Sequence, residues 1–398
     1  MLRDFLLSAL VAINGYFLVT VLLNIAYFRR ATKAARITSG PLVSVIVPAR
    51  NEEAAIARCV KSLLAQEYAD YEVIVVDDQS TDGTAQIVSE LAAHDARLRL
   101  VSGAPLPDGW LGKPHALSQG AAVARGEILI LTDADTSHGP KSVSWAVTNL
   151  QDHHADMLSG YLDQEYGSLG ETVIVPTMYA AMLLVPFYLL LRSKSPQLAF
   201  AIGQYVAIRR DALEGVGGYD AIKGSLVDDM SMAKLVKASG YREVFLDANE
   251  AASCRLYSGY RDAFAGIMRS VYSALGGHPL PVAIVSALVL GVIVAPSAVV
   301  LASYATLQLP VGLLAIAVAL FAAQWALVVY DRDVPFLAFV FYPLVFLNLA
   351  LILNASMLTT GFGRGVDWKG RLVRKPRDPG VADEIAVADA ACRPGEDC

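Results

Sequence analysis

Residues 42–49 read LVSVIVPA, a short and mostly β-branched apolar run that gives way at once to the polar sequence RNEE. A run of this length, bounded by turn-forming residues, is typical of a strand buried in a parallel sheet. Residues 51–66 then show the apolar spacing of an amphipathic helix, with Asn51 as the expected N-cap and acidic residues in the first turn. The stretch therefore predicts the first strand and helix of a β–α–β unit.

The next segment repeats this pattern. YEVIVVDD at residues 71–78 is predicted to be a strand, QSTDGT a turn, AQIVSELAAH a helix, and LRLVSG at residues 98–103 a further strand. This β–α–β–α–β order implies an α/β, Rossmann-like domain with a mainly parallel sheet and helices on both faces. Ligands of such sheets bind at the carboxyl ends of the strands.

Polar side chains follow three of the predicted strands. The first strand runs into Arg50 and Glu52, the second into Asp78, and the strand in EILILTDAD into Asp133 and Asp135. A helix cap or a solvated loop explains any one of these acids taken alone. The same feature at three strand ends weakens that explanation and predicts a shared site.

Asp133 and Asp135 have a specific chemical consequence. Residues two apart in an extended chain point to the same side, so the two carboxylates converge while Ala134 takes little space. Convergent carboxylates repel each other unless a cation joins them. Hard oxygen ligands favour Mg²⁺ or Mn²⁺, which usually completes its shell with water and substrate phosphates. The pair therefore predicts a site for a metal-bound diphosphate.

The composition predicts membrane spans beside the globular domain. The 398 residues are 55% hydrophobic, and the mean hydropathy is +0.46. Residues 5–28 carry no charge and are long enough as a helix to cover the roughly 30 Å hydrocarbon core, so residues 1–30 are predicted to be a transmembrane anchor. The length of this apolar run and the basic residues on its far side disfavour a cleaved signal peptide. By the positive-inside rule, the basic residues that follow it place the next segment in the cytoplasm: Arg29, Arg30, Lys33 and Arg36.

The C-terminal part of the chain is also apolar. Residues 279–330 and 334–362 contain no Asp, Glu, Lys or Arg, so residues 279–362 are predicted to form about three membrane helices, with a turn near LQLPVG at residues 307–312. Residues 172–191 are uncharged too. A crossing there would split the domain predicted over residues 41–277, so this segment is predicted to be interfacial or re-entrant.

The number of crossings creates a conflict. Four spans from an outside N-terminus leave the basic sequence GRGVDWKGRLVRKPR outside, against the rule that oriented the first helix. Either one C-terminal apolar run is re-entrant or the tail is an exception to the rule. Residues 363–398 are basic and then acidic without an apolar period, and we expect them to be disordered.

The net charge and the cysteine content indicate which partners and which cellular compartment to expect. The net charge is −6 and there is no basic stripe, so a nucleic-acid partner is not expected. The four cysteines are too few and too scattered for a disulfide framework or a CxxC-type metal site, which fits a reducing compartment.

Four segments in this order resemble the motifs of membrane-anchored family 2 glycosyltransferases with the GT-A fold: VSVIVPARNEE, VIVVDDQSTDGT, GWLGKPHALSQGAAVARGEILILTDAD and VDDMSMAKLVKASGYR. The resemblance covers roughly residues 42–272. It implies an integral membrane protein, in a bacterial inner membrane, whose cytoplasmic GT-A domain lies between N-terminal and C-terminal transmembrane helices.

The resemblance also implies roles for individual residues. Asp133 and Asp135 match the acids that bind Mg²⁺ or Mn²⁺ and the donor, which is expected to be a UDP-sugar, and Asp229 matches the catalytic base. Asp228 stands where many relatives have Glu, and one of these two acids is also a candidate helix cap. Arg269 and Arg255 are candidate positive charges for the diphosphate. The other expected nucleotide-sugar contacts are Pro48, Arg50, Asn51, Glu52, Asp78 and Lys113, although Glu52 also suits a helix cap and Lys113 a solvated loop.

One departure from the family bears on the product. Processive relatives carry Gln-x-x-Arg-Trp after the base, and no Arg-Trp pair occurs in this sequence. The expected function is therefore a metal-dependent, inverting transfer of one sugar to a membrane lipid, as in ceramide glucosyltransferases and in hopanoid- or carotenoid-associated glycosyltransferases. The alternatives are a polyprenyl-phosphate glycosyltransferase, a polysaccharide synthase, or an inactive membrane protein that binds a nucleotide-sugar.

Overall fold

A computed structural model describes residues 1–190, 193–306, 312–361, 366–368 and 371–373. The strands are β1 Val43–Ala49, β2 Tyr71–Asp77, β3 Leu98–Ser102, β4 Ile128–Thr132, β5 Thr136–His138, β6 Met157–Tyr161, β7 Asp163–Gln164, β8 Tyr205–Arg209, β9 Glu243–Asp247, β10 Ala252–Cys254, β11 Val366–Trp368 and β12 Arg371–Val373. The α-helices are α1 Leu2–Ala31, α2 Ile56–Leu64, α3 Thr84–Ala92, α4 Gly112–Val123, α5 Ser142–Asp152, α6 Leu169–Ile174, α7 Ala181–Leu184, α8 Phe187–Leu190, α9 Arg210–Gly215, α10 Asp228–Ala238, α11 Tyr260–Ala274, α12 Pro279–Leu288, α13 Ala295–Thr306, α14 Gly312–Asp331, α15 Phe336–Val340 and α16 Tyr342–Ser356. Short 3₁₀ turns lie at Val175–Ala180, Pro196–Leu198 and Gly218–Ile222, and π-helical turns at Val289–Val294 and Met357–Gly361.

The centre of the fold is a seven-stranded sheet in the order β3-β2-β1-β4-β8-β6-β9. Strands β3, β2, β1 and β4 are parallel, β8 is antiparallel to both of its neighbours, and β6 pairs parallel with β9. Strands β1 and β2 are buried almost throughout, as expected for parallel strands covered on both faces. The predicted α/β class with a mainly parallel sheet is confirmed.

A second, three-stranded sheet in the order β5-β10-β7 lies beside the large one. Thr136 in β5 pairs with Cys254 in β10, so the residues that follow the Asp133–Asp135 pair contact a segment more than a hundred positions later in the chain. This small sheet joins the end of β4 to the segment that leads into α11.

The helix after β1 begins later than predicted. Helix α2 starts at Ile56, and Asn51 is not its N-cap but has a left-handed backbone with φ of 51°. The backbone N–H groups of Glu52 and Glu53 donate instead to the side chains of Thr84 and Asp82, over 2.8 and 3.1 Å. These bonds tie the loop after β1 to the loop after β2, so the first helical turn cannot form there.

Four helices in the described part of the chain are long and apolar enough to cross a membrane: Leu2–Ala31, Pro279–Ser303, Gly312–Asp331 and Tyr342–Gly361. They correspond in position to the predicted N-terminal anchor and the three predicted C-terminal helices. The predicted turn at residues 307–312 lies outside the described residues except for Gly312.

The apolar segment predicted over residues 172–191 is broken into α6, a 3₁₀ turn, α7 and α8. Asn24 of α1 donates to the carbonyl groups of Met182 and Val185, over 2.9 and 2.8 Å. Asn348 of α16 donates to the carbonyl of Val173 over 3.1 Å. Two long apolar helices therefore hold this segment from opposite ends.

Helix α16 runs antiparallel to α12 and α13. The hydroxyls of Tyr342 and Ser297 lie 2.8 Å apart, and Asn354 donates to Ser286 over 3.0 Å. Near the end of α16, the hydroxyl of Ser356 accepts from the backbone N–H of Tyr272, in α11, over 3.1 Å. The C-terminal end of α16 thus lies beside α11, which belongs to the globular domain.

Most of the predicted tail, residues 363–398, lies outside the described residues. Within it, β11 and β12 form an antiparallel pair, so the prediction of disorder is wrong for residues 366–368 and 371–373.

Candidate functional site

An open cleft of about 480 Å³ lies at the carboxyl ends of β1, β2 and β4. The loops after these strands form one wall, α4 contributes Lys113, and residues 255–258 with α11 form the opposite wall. Of the predicted site residues, the cleft brings together Pro48, Arg50, Glu52, Asp78, Lys113, Asp133, Asp135, Arg255 and Arg269. Asn51 and Asp229 do not line it.

The loop after β1 is fixed to the loop after β2 at the edge of the cleft. Arg50 donates through Nη1 to the carbonyl oxygen of Asp78, over 2.6 Å. Asn51, in contrast, faces this second loop, where its Oδ1 accepts from the backbone N–H of Thr81 over 2.8 Å. The structure therefore gives Asn51 a loop-supporting contact rather than a place in the cleft.

The Asp133–Asp135 pair lies directly after β4. Lys113 Nζ is 2.6 Å from Asp133 Oδ1. Burial opposes the charge of the Lys113 ammonium, but the carboxylates of Asp133, Asp228 and Asp229 outweigh it and raise the pKa of Lys113 above its ordinary value. Lys113 is therefore a permanent cation of the site rather than a solvated loop residue.

Asp135 is held differently. The Cys254 thiol donates to Asp135 Oδ1 over 3.5 Å. Burial, together with the neighbouring carboxylates of Asp133 and Glu52, raises the pKa of Asp135 to about 7. The repulsion from Asp133 and Glu52 acts on Asp135 together with burial, and the positive charge of Lys113 offsets only part of it.

The predicted base lies at the start of α10, next to the cleft. Asp229 lines a small adjoining cavity that shares Pro48 and Lys113 with the cleft. The backbone N–H of Gly203 donates to Asp229 Oδ2 over 2.6 Å, and that of Met230 donates to Oδ1 over 2.7 Å. Both bonds fix the orientation of the carboxylate. Burial and the adjacent Asp228 raise the pKa of Asp229 to about 6.

Gly203 is required for this arrangement. A Cβ built on Gly203 would lie 3.1 Å from both Asp229 Oδ2 and Lys113 Nζ. Lys113 also donates to the Gly203 carbonyl over 3.3 Å. Gly203 therefore connects the carboxylate pair, through Lys113, to the predicted base.

Several residues of the cleft were not predicted from the sequence. Cys254, Tyr257 and Asp262 reach it from the far end of the domain. A signal was present for one of them, because Gly266 of α11 leaves the space that the Tyr257 ring occupies, where a Cβ would lie 2.1 Å from the ring. No local pattern indicates that Cys254 meets Asp135.

The donor set of the site fits a divalent cation. Among the described residues there is no cluster of three or more His, Cys, Asp or Glu side chains poised to hold a metal. Two carboxylates in an open cleft nevertheless suit Mg²⁺ or Mn²⁺, which keep ligand positions for water and phosphate. The repulsion that helps to raise the pKa of Asp135 is what such a cation would relieve.

The fold and the cleft define an α/β protein of the GT-A type. A solved structure of similar fold is the mannosyltransferase PcManGT from Pyrobaculum calidifontis in complex with GDP-Man and Mn²⁺, with a TM-score of 0.53 and 23% identity, covering 89% of this chain and 99% of that chain. At this identity the likeness shows the fold alone.

Residues 44–217 of the chain match the model of glycosyl transferase family 2. The resemblance inferred from the sequence motifs is confirmed. Among curated relatives, the β-monoglucosyldiacylglycerol synthase of Nostoc sp. is 29% identical over 48% of this chain and 40% of its own length. The 4,4'-diaponeurosporenoate glycosyltransferase of Staphylococcus haemolyticus is 26% identical over 65% of this chain and 68% of its own length. The chain spans about half or less of the length of the first curated relatives that it matches.

Proposed function

We propose that this protein transfers a single sugar from a nucleotide-sugar to the hydroxyl group of a membrane lipid, with inversion at the anomeric carbon and with a divalent cation. The observation that carries the proposal is the convergence of Asp133, Asp135 and Lys113 in one cleft, with Asp229 adjoining it. A protein that only bound a nucleotide-sugar would have no need for the half-buried carboxylate of Asp229.

The chemistry of the transfer follows from these positions. The acceptor hydroxyl loses its proton to the Asp229 carboxylate as its oxygen attacks the anomeric carbon. The bond from that carbon to the diphosphate breaks on the opposite face, so one displacement inverts the configuration. Lys113 and Arg269 are cations placed to offset the negative charge of the leaving nucleoside diphosphate.

Asp133 and Asp135 are the residues that would hold the cation. A bound Mg²⁺ or Mn²⁺ supplies charge compensation for the diphosphate. The proposal includes either Mg²⁺ or Mn²⁺ as the cation and a UDP-sugar as the donor. The GDP-Man and Mn²⁺ complex of the similar mannosyltransferase structure agrees with a divalent cation beside a nucleotide-sugar.

The lipid acceptor is proposed from the sequence and from the relatives. The names of the Nostoc and Staphylococcus relatives contain the words diacylglycerol and 4,4'-diaponeurosporenoate. The apolar segment from α6 to α8 packs between α1 and α16, and Leu169 and Leu189 expose 71% and 56% of their surface. An apolar surface beside the catalytic domain would let a lipid approach Asp229 from the bilayer.

We also propose the membrane topology. Arg332, just after α14, pairs with Asp247 at the end of β9 over 2.6 Å. Ser356, near the end of α16, contacts α11. The chain thus leaves the globular domain after α14 and returns to it by the end of α16, so α15 and α16 would form a re-entrant hairpin. Three crossings then place the catalytic domain and the basic tail together in the cytoplasm, in a bacterial inner membrane.

Metal dependence is the direct test of the site. Purified protein in detergent should lose transfer on addition of EDTA and regain it with excess MnCl₂ or MgCl₂. Asp135→Ala should remain inactive at any metal concentration, whereas Asp70→Ala, at an exposed position just before β2 and at the end of that strand opposite the cleft, serves as a surface control. Full transfer in excess chelator would refute the metal assignment.

A further inference from the structure

We propose that His138 is a positioning residue for the reaction, which sets the carboxylate pair and the segment that orients the base through one buried hydrogen-bond network. This inference rests on the proposed function and extends it to a residue outside the cleft. His138 lies in β5, three residues after Asp135, and only 6% of its surface is exposed.

Two threonines flank the carboxylate pair in the sequence and meet at the imidazole ring. Nε2 of His138 is 3.2 Å from Thr132 Oγ1 and 3.0 Å from Thr136 Oγ1. The two hydroxyl oxygens are 3.0 Å apart, and both threonines are buried. The ring therefore lies beneath the turn that presents Asp133 and Asp135.

The hydroxyl protons have other acceptors. Thr132 Oγ1 donates to the carbonyl of Gln204 over 2.8 Å, and Thr136 Oγ1 donates to the carbonyl of Asp133 over 2.7 Å. With both protons committed, each hydroxyl oxygen can only accept from His138. Nε2 must then carry the proton, which it shares between the two threonines.

The other ring nitrogen completes the assignment. Nδ1 of His138 lies 3.0 Å from the Ser142 hydroxyl oxygen, and the same hydroxyl lies within donating distance of the Tyr205 hydroxyl, over 3.2 Å. The Tyr205 hydroxyl donates to the Ser142 carbonyl over 2.9 Å. Burial lowers the pKa of His138 to about 3, so the ring is neutral at physiological pH. With Nε2 as the donor to the two threonines, Nδ1 of the neutral ring is an acceptor within reach of the Ser142 hydroxyl.

The network holds both halves of the site. One threonine fixes the Asp133 carbonyl, and the other fixes the carbonyl of Gln204. Gln204 follows Gly203, whose N–H orients Asp229. A shift of the ring would therefore move the carboxylate pair together with the Gly203–Gln204 segment that orients the base. His138 itself touches neither Asp135 nor Asp229.

If His138 only filled space in the core, substitutions at this position would have different effects. Burying an imidazole costs free energy unless it is hydrogen-bonded, and an apolar ring of similar volume would pack at lower cost. Replacing His138 by Phe keeps the ring but removes the donor. Replacing it by Gln places an amide N–H near the position of Nε2 and should retain the bond to the threonines.

The test measures binding of Mn²⁺ to the full-length protein in detergent in the presence of UDP, by electron paramagnetic resonance of the free ion. The Kd of His138→Phe for Mn²⁺ should rise by about 10-fold to 100-fold, the range seen when partners of metal ligands are lost. Thr136→Val removes the bond to the Asp133 carbonyl and should show the same direction of change, which preserves the test if His138→Phe does not fold. His138→Gln should stay within about threefold of the unmodified protein.

Thr148→Val is the matched control for lost stability. The buried Thr148 hydroxyl accepts from the backbone N–H groups of Arg36 and Ile37, so its loss lowers the thermal midpoint without touching the site. The affinity of Thr148→Val for Mn²⁺ should not change.

Two results would overturn the inference: a folded His138→Phe with unchanged Mn²⁺ affinity, or a His138→Gln that binds Mn²⁺ as weakly as the Phe variant. Failure of the unmodified protein to bind Mn²⁺ with UDP would refute the proposed function instead.

Discussion

The carboxylate of Asp229 is the residue on which the proposed reaction depends most. Replacing it by Asn keeps the size and one of the two hydrogen bonds from the backbone N–H groups of Gly203 and Met230, but removes the ability to take a proton. We expect Asp229→Asn to lower kcat by about a hundredfold or more, the usual scale for a lost general base, with the Kd for the donor unchanged. Asp228→Asn is the matched control, and its effect should be milder. Loss of donor binding in Asp229→Asn with normal turnover of bound donor would require the roles to be exchanged.

The raised pKa of Asp229 also predicts the pH dependence of the reaction. Below its pKa of about 6 the side chain carries a proton and cannot accept another from the acceptor. At saturating MnCl₂, kcat should be level above about pH 7 and fall about tenfold per unit below about pH 6. The residual activity of Asp229→Asn should lack this acid limb. An unchanged acid limb in the variant would assign it to another group.

The candidate site was predictable from sequence where its residues follow strands. Strand ends in a parallel sheet meet at one edge, so Arg50, Asp78 and Asp133 were placed together correctly. Cys254 lies 119 residues from Asp135, and their contact depends on the pairing of β5 with β10. Asn51 was misplaced because the loop after β2 offers acceptors for the backbone N–H groups of its neighbours.

At the scale of elements, the parallel strands β1, β2, β3 and β4 were predictable because each is a short apolar run bounded by turn residues. The antiparallel insertion of β8 between β4 and β6 was not, since it depends on long-range pairing of residues that have no distinctive period. The sequence also did not indicate that α16 returns to the globular domain. Its polar contacts, such as that of Ser356 with α11, are single residues within an apolar run.

The re-entrant hairpin of α15 and α16 can be tested by labelling with a membrane-impermeant maleimide. In a variant whose native cysteines are replaced by serine, single cysteines at Asp82 and Lys369 should be protected in intact cells and react after permeabilisation. A cysteine at Gln308, between α13 and α14 in the sequence, should react in intact cells and is the positive control. Labelling at Lys369 from outside would indicate four crossings and contradict the hairpin.

At the scale of the whole molecule, the protein joins a glycosyltransferase domain to apolar helices through a buried polar junction. Arg332 exposes only 1% of its side chain, pairs with Asp247 and Asp331, and lies over the ring of Phe28 in α1. Breaking a buried ion pair is costly, so this junction fixes the domain against α1 and α14. The junction keeps the cleft at a constant distance from the apolar helices, as transfer to a lipid acceptor requires.

The fate of a labelled sugar tests the proposed transfer of one sugar to a membrane lipid most directly. Purified protein in detergent is incubated with MnCl₂, a total lipid extract and, one at a time, radiolabelled nucleotide-sugars, and the products are separated by solvent extraction and thin-layer chromatography. We predict that one donor transfers label to the organic phase as a single discrete product, and that Asp229→Asn lowers the rate at which this product forms by about a hundredfold or more. Label found only in a ladder of water-soluble oligomers would contradict the single transfer to a lipid.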